Sequence, residues 1–264
     1  MKIKDITTLI EAMAPLSLQE SYDNAGLICG SPEAEVRSAL LATDVTEEVL
    51  DEAIAGGHDL IITHHPLTLQ GVKHLRPEGY VQRCLIKAVR HELNLYAAHT
   101  NLDAVMQGVS GRMADKLGLE EQEVLQPLAR EGSDGEPAGF GIVGNLPREE
   151  EATGFLRRVK EVFGCGVVRH TAVCKERVRR VAVCGGAGAF LTREAIARGA
   201  DIYITGDYKY HDFFMAENRI ILADIGHYES EQFTKVVIFE LLVKNLSNFA
   251  VQFSKVRTNP VYYL

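Results

Sequence analysis

Short apolar runs that suit β-strands alternate along most of the chain with segments that have the periodicity of amphipathic helices. The apolar runs are SALLATDV, DLIIT, LNLYAA, FGIVGNLP, RRVAVCGG, DIYIT, RIILAD and AVQFSKV. We predict helices between them at 46–56, 78–91, 149–162, 190–198, 209–217 and 228–246, and one more in GVSGRMADKLGL. This alternation is typical of α/β proteins with largely parallel sheets. The acidic, glycine-containing stretch at 128–139 is predicted to be a linker or surface loop.

One helix–strand unit occurs twice in the sequence. EAIAGGHDLIIT (52–63) and EAIARGADIYIT (194–205) are identical at eight of twelve positions. The identities include pairs that apolar patterning does not explain, namely Gly57 with Gly199, Asp59 with Asp201, and Thr63 with Thr205. We interpret the two stretches as a duplicated unit, whose first copy runs into His64 and His65 and whose second copy runs into Gly206 and Asp207.

Polar residues are concentrated where the predicted strands end. Open α/β sheets bind ligands at the carboxyl ends of their strands, so these residues are expected near a binding site. They are His64 and His65 after DLIIT, His99, Asn101 and Asp103 after LNLYAA, Asp207 and His211 after DIYIT, and Asp224 and His227 after RIIL.

The residue types and spacings at these strand ends suit divalent metal ions. Neighbouring side chains of a strand point to opposite faces, so His64 and His65 are expected to bind two different cations a few ångströms apart. If GHYESE is helical, His227 and Glu231 share one face, and Asp103 supplies a second carboxylate. Two surface histidines in a turn, a solvated ion pair and a helix-capping aspartate are the respective alternatives. Imidazole and carboxylate ligands suit zinc, iron, manganese and nickel, and the sequence does not choose among them.

Composition and charge narrow the function classes. The chain has 264 residues, 46% of them hydrophobic, and a net charge of −8, which disfavours non-specific binding to nucleic acid or to an anionic membrane. Its five cysteines form no C-x-x-C pair, as is usual in a reduced compartment. The start of the chain lacks the apolar core of a signal peptide, and no apolar run is long enough to span a membrane. We therefore expect a cytoplasmic protein.

Seven motifs occur in the order found in the Nif-three-like family, whose members are widely described as GTP cyclohydrolase type-two homologues. They are SYDNAGLICG (21–30), THHPL (63–67), AHTNLD (98–103), CGGAGAF (184–190), ITGDYKYHD (204–212), GHYESE (226–231) and the terminal TNPVYY. The chain resembles this family over essentially its whole length.

The resemblance implies two intertwined, related α/β domains with a dinuclear metal site in the cleft between them. We place the first domain at 1–126 together with 226–264, carrying most of the metal ligands, and the second at 127–225. The resemblance also implies two divalent cations per subunit and assembly into a toroidal homohexamer. The implied ligands are the five residues already reached from their chemistry, namely His64, His65, Asp103, His227 and Glu231.

Other polar residues of the motifs are implied as pocket groups. His99, Asp44, Asp207 and His211 are candidates for lining the site, and partners of this kind orient a histidine for its metal. His99 and His211 are also the candidates for moving protons. The histidines without such neighbours are expected at the surface, namely His58, His74, His91 and His170.

The glycine-rich turn at Gly185, Gly186 and Gly188 is a candidate phosphate loop, because it lies between a predicted strand and helix. Leu191 stands where a dinucleotide fingerprint needs its third glycine. A tight structural turn is therefore the favoured interpretation of this segment.

The function hypothesis that follows is a metal-dependent hydrolase of the GTP cyclohydrolase type-two homologue kind. It would act on a nucleotide or a related heterocycle through a metal-activated hydroxide. A two-metal phosphoester hydrolase and a non-catalytic metal-binding ring that serves as scaffold or regulator are the alternatives.

Overall fold

The structure is a computed structural model that describes residues 1–132 and 135–264. Its helices are α1 (Ile3–Met13), α2 (Glu47–Gly56), α3 (Tyr80–Arg90), α4 (Thr100–Asp103), α5 (Val109–Lys116), α6 (Ala152–Val162), α7 (Thr192–Ala197), α8 (His227–Glu231) and α9 (Thr234–Asn245). Its strands are β1 (Gly26–Cys29), β2 (Ser38–Ala42), β3 (Leu60–Thr63), β4 (Asn94–Ala97), β5 (Glu120–Glu131), β6 (Pro137–Glu151), β7 (Arg169–His170), β8 (Arg177–Ala187), β9 (Ile202–Gly206), β10 (Ile221–Asp224) and β11 (Ala250–Phe253). The predicted α/β class is confirmed.

The chain forms two compact units, each discontinuous in sequence. The first comprises Met1–Leu102 and Thr234–Pro260, and the second comprises Asp103–Phe233 and Val261–Leu264. These bounds differ from the predicted domains, because residues 103–126, 226–233 and 261–264 belong to the second unit. The reason is local pairing: β5 forms an antiparallel pair with β6, and α8 packs against β8. The predicted ligands are consequently divided, with two in the first unit and three in the second.

The first unit is built on a five-stranded sheet in the order β1-β4-β3-β2-β11, parallel except for β1. The helices α2 and α3 pack together over Leu40, Ile61 and Leu95. The next residue of β4, Tyr96, donates its hydroxyl proton to Glu11 of α1 at 3.2 Å. Alternate residues of the sheet therefore face different helices, as expected for a parallel sheet covered on both faces.

The second unit has a six-stranded mixed sheet in the order β5-β6-β8-β9-β10-β7. Only β8, β9 and β10 run parallel, so the prediction of largely parallel sheets is correct for the first unit and wrong here. Most of the predicted loop at 128–139 consists of the ends of β5 and β6, which form a hairpin, and residues 133 and 134 of that prediction lie outside the described part of the chain. The sequence pattern missed β5 because it is rich in Glu and Gln and largely exposed.

The duplicated sequence unit is duplicated in structure. Gly57 and Gly199 both follow a helix with positive φ angles of 67° and 71°, the left-handed conformation that ends α-helices. Asp59 accepts the backbone N–H of Arg37 at 2.8 Å, and Asp201 accepts that of Arg179 at 2.9 Å. Each carboxylate thereby ties the start of its own strand to the start of the preceding one. In both units the repeated strand is flanked by parallel neighbours, so its carboxyl end lies in the middle of a sheet.

Two predicted helices differ in detail. The long helix at 228–246 is broken into α8 and α9 between Glu231 and Thr234. The segment predicted at 209–217 is a 3-10 helix, Tyr210–Ala216. In the part of the chain that the structure covers, no helix is both long and apolar enough to cross a membrane.

Alanine at either repeated glycine should lower stability. Gly57→Ala and Gly199→Ala are each expected to reduce the free energy of unfolding by about 1 kcal/mol, because an L side chain disfavours the left-handed conformation although it reduces the entropy of the unfolded chain. Neither site has an atom within 4 Å of the added Cβ, so the loss isolates the backbone effect. Gly71→Ala is the control, since this glycine also has open space and no positive φ. Urea denaturation that shows no difference between these variants and Gly71→Ala would contradict the assignment.

Candidate metal centre

In the first unit, two adjacent histidines follow the buried strand β3. His64 is 1% exposed, and its Nδ1 lies 2.8 Å from the carbonyl oxygen of Ala98. The Nδ1 of His65 lies 2.7 Å from Oδ1 of Asp44. The second oxygen of Asp44 accepts a hydrogen bond from the hydroxyl of Thr258, so the terminal TNPVYY segment supports the partner of His65. The pairing of Asp44 with His65 agrees with the orienting role predicted for this aspartate.

A third imidazole, that of His99, lies beside them. Its Nδ1 is 2.7 Å from Oδ1 of Asp23, whose side chain is fully buried. Burial by itself would raise the pKa of Asp23, but the hydrogen bonds from His99 and from the Thr100 hydroxyl outweigh it and lower the pKa to about 2. Asp23 is therefore an ionised acceptor at neutral pH. Sequence reasoning missed this residue, since the only signal was its place in the SYDNAGL motif.

The three rings converge. Their centroids are 4.9 to 5.4 Å apart, and one potential ligand nitrogen from each lies within 4.8 Å of the others. In each ring Nδ1 faces an oxygen that can only accept, which places the proton on Nδ1 and the lone pair on Nε2. Three imidazoles of the same tautomer are thereby oriented toward one small volume.

In the second unit, α8 carries the predicted pair at helical spacing. Nε2 of His227 is 3.1 Å from Oε2 of Glu231, and Nδ1 of His227 is 2.8 Å from Oδ2 of Asp207. A carboxylate oxygen of Asp103 lies within 4.8 Å of one of Glu231, which is 3% exposed. The structure thus brings Asp103, His227 and Glu231 together within this unit, and Asp207, predicted as a pocket group, pairs with His227.

In the second unit, His227 and the carboxylates beside it shift each other's pKa values. Burial would lower the pKa of His227, but the hydrogen bonds and charges of Asp207 and Glu231 prevail and raise it to about 11. The hydrogen bond from His227 in turn lowers the pKa of Asp207. In the metal-free protein a proton therefore occupies the place between the imidazole and the carboxylates, and a cation there would have to displace it.

The glycine turn after β8 serves close packing. A Cβ on Gly186 would lie 2.3 Å from Oε1 of Glu231, so only glycine lets the backbone approach this carboxylate. Each amide already donates to a hydroxyl of the unit, in the pairs Gly185 with Ser110 (3.3 Å), Gly186 with Ser230 (2.9 Å) and Gly188 with Thr205 (3.0 Å). These bonds favour the structural turn over the predicted phosphate loop.

The remaining histidines divide into surface and buried groups. His211 lies exposed in the 3-10 helix Tyr210–Ala216, where its ring contacts those of Tyr210 and Phe214, and its proton-transfer role stays a prediction. His58 is buried and hydrogen-bonded to Ser38 at 2.9 Å, so the expectation that it lies at the surface is wrong. His74, His91 and His170 are exposed as expected.

The donor atoms of both groups of side chains, one in each unit, are of types that bind divalent cations. The first unit offers three imidazole rings whose Nδ1 atoms each face an oxygen acceptor, and the second offers two carboxylates beside an imidazole. Nδ1–H donated to a carboxylate or carbonyl is the usual arrangement of metal-binding histidines. Three carboxylates gathered in one small region, those of Asp103, Asp207 and Glu231, would repel one another without compensating positive charge.

The chain is similar to known proteins over nearly its whole length. The family model DUF34/NIF3 (NGG1p interacting factor 3) matches residues 1–260. A protein of Clostridium acetobutylicum named GTP cyclohydrolase 1 type 2 homolog is 34% identical over 245 residues, which are 92% of this chain and 90% of the relative. One of the same name from Clostridium perfringens is 33% identical, over 94% of each chain.

A similar solved structure is that of Staphylococcus aureus protein SA1388. It has a TM-score of 0.90 and 29% sequence identity, and the match covers 100% of this chain and 99% of that one. The family model, the related sequences and the solved structure all match over nearly the whole length. The chain therefore belongs to the DUF34/NIF3 family.

Proposed function

We propose that this protein binds two divalent cations and hydrolyses a nucleotide or a related heterocycle. The ligands are His64 and His65 from the first unit and Asp103, His227 and Glu231 from the second. The relatives named GTP cyclohydrolase 1 type 2 homolog make the ring of a purine nucleotide the first substrate to test.

One observation carries the proposal: every histidine among these ligands has its Nδ1 held by an oxygen acceptor of its own unit. The acceptors are Ala98 O for His64, Asp44 for His65 and Asp207 for His227. A histidine packed only for stability has no need of one tautomer, whereas a metal ligand does. His170 also has a carbonyl oxygen at its Nδ1, that of Thr171, but it is exposed and belongs to none of the potential ligand groups among the described residues.

The chain's own residues suggest how protons would move. His99 Nε2 can accept a proton and return it, because the hydrogen bond from Nδ1 to Asp23 keeps the lone pair on Nε2. The hydrogen bond also prevents the ring from turning. His211 is the second candidate for this step. Bound divalent cations would supply the rest, since they lower the pKa of water and stabilise negative charge on a reacting oxygen.

The stoichiometry of bound metal tests the ligand set. The purified protein should contain about two divalent cations per chain after loading with zinc, manganese, iron or nickel, and His64→Ala or Asp103→Ala should lower that number. His170→Ala should leave it unchanged, because this histidine is exposed and away from the ligand groups. The measurement is elemental analysis by mass spectrometry after gel filtration. A metal content near zero in the loaded wild-type protein would remove the proposal.

The partner of His65 should tune metal affinity. Asp44→Ala removes the acceptor at Nδ1, so the dissociation constant of the cation that His65 holds should rise about 10- to 100-fold. Asp51→Ala is the control, since Asp51 is exposed and pairs with Lys87 at 2.8 Å. Competition with a chromogenic chelator measures both. Equal affinities in the two variants would show that Asp44 does not orient His65.

Ring opening of GTP would release formate, which can be assayed directly. The metal-loaded protein should produce formate from GTP, and His99→Ala should reduce the rate about 100-fold or more by removing the proton acceptor. His64→Ala is the negative control. If wild type and His64→Ala release formate equally, GTP is not the substrate.

Two alternatives have their own outcomes. Release of phosphate from phosphoesters without formate from GTP would indicate a two-metal phosphoester hydrolase. Retention of two cations without turnover of GTP or of phosphoesters would indicate a metal-binding scaffold or regulator. The toroidal homohexamer belongs to the proposal through the family resemblance, and the net charge of −8 disfavours nucleic acid as a partner.

A further inference from the structure

We propose that Asp224 is a positioning residue that fixes the backbone of the proposed metal ligand His227 relative to that of its partner Asp207. The functional meaning of this role rests on the proposed metal centre. The geometry that supports the role lies entirely within the second unit. Asp224 ends β10 and is 4% exposed.

The two oxygens of Asp224 accept from two different turns. Oδ2 accepts the backbone N–H of Tyr208 at 2.8 Å, and Oδ1 accepts that of Gly226 at 2.9 Å. Tyr208 directly follows Asp207, and Gly226 directly precedes His227. A single carboxylate therefore ties the turn after β9, which carries the acceptor, to the turn after β10, which carries the imidazole.

The turn that carries Asp207 has a conformation that needs such a restraint. Asp207 has a φ of 58°, uncommon for a residue with a side chain, whereas the φ of 92° at Gly226 is open to glycine. A left-handed backbone at a residue other than glycine persists only where the surroundings impose it, and it is concentrated at functional sites. The 2.8 Å contact between Nδ1 of His227 and Oδ2 of Asp207 depends on both turns keeping these angles.

Arg169 completes the arrangement. Its Nη2 donates to Asp224 and to the carbonyl of Tyr208 at 2.9 Å. The guanidinium thereby compensates the buried carboxylate and restrains the same turn a second time. It also lies over the ring of Phe213, 5.5 Å from the centroid, which limits its movement.

Asp201 provides a matched control in the same sheet. It too accepts two backbone N–H groups, those of Arg179 and Arg180, both at 2.9 Å, and it too pairs with a cation, Lys175, at 2.6 Å. It lies just before β9, at the opposite end of that strand from Asp207. Loss of Asp201 should destabilise the sheet as much as loss of Asp224 does, but it should leave the backbone of the two turns unchanged.

The experiment compares Asp224→Asn with Asp201→Asn in the full chain. Each change keeps the side-chain size but replaces one acceptor oxygen by an NH₂ group that cannot accept. Asp224→Asn should raise the zinc dissociation constant of the site that includes His227 and Glu231 about 10- to 100-fold, whereas Asp201→Asn should change it less than about twofold. Chelator competition measures the affinity, and thermal melting compares the stability of the two variants.

A second readout does not involve metal. In the metal-free protein the Nδ1 proton of His227, held by Asp207, should give a downfield proton resonance that is protected from exchange. This resonance should persist in Asp201→Asn and be lost in Asp224→Asn. If Asp224→Asn does not fold, Arg169→Met replaces it, with a smaller change expected in the same direction because the carboxylate remains.

The outcomes separate the two claims. If wild type binds no zinc, the metal centre fails, and the resonance still decides whether Asp224 positions His227. If wild type binds zinc and Asp224→Asn keeps both its affinity and the resonance, the positioning role is overturned and the metal centre stands. Equal losses in Asp224→Asn and Asp201→Asn would also overturn it, because they would indicate general loosening of the sheet.

Discussion

The hydrogen bond from an imidazole Nδ1 to an oxygen is the interaction on which the candidate site depends. It occurs at His64, His65, His99 and His227, with one carbonyl and three carboxylates as acceptors. Each bond keeps a proton on Nδ1, stops rotation of the ring and directs Nε2 away from the acceptor. Without these bonds the rings of the same histidines could turn.

The acceptors are themselves held by other parts of the chain. Asp44 receives the hydroxyl of Thr258, and Asp23 receives both the hydroxyl and the backbone N–H of Thr100. In the second unit, Asp224 restrains the turn that carries Asp207. The acceptors of His65, His99 and His227 are thus themselves held by other residues. Asp44 and Thr258, one such pair, are more than 200 positions apart in the sequence.

The duplicated unit explains why these groups stand at strand ends. In both copies a left-handed glycine ends the helix, an aspartate anchors the start of the strand, and the strand lies between parallel neighbours. The backbone is the same, but the residues that follow differ. The first copy continues into His64 and His65, which belong to a group that could hold a metal ion, while the second continues into Asp207, which forms a hydrogen bond with a histidine from the next strand end. The two copies thus present different polar residues at the same place in the repeated unit.

The sequence by itself determined the α/β class, the repeated unit and the residues whose chemistry suits metal ions, because hydrophobic periodicity and residue type are local properties. It also anticipated Asp44 and Asp207 as partners of histidines. It did not reveal that Asp23 and Asp224 are buried acceptors, that His58 is buried, or that β5 is a strand. Nor did the sequence reveal the bounds of the two units. Those features depend on which distant segments pair and pack. An aspartate is a buried acceptor only where the fold places donors around it, and otherwise it is a surface charge.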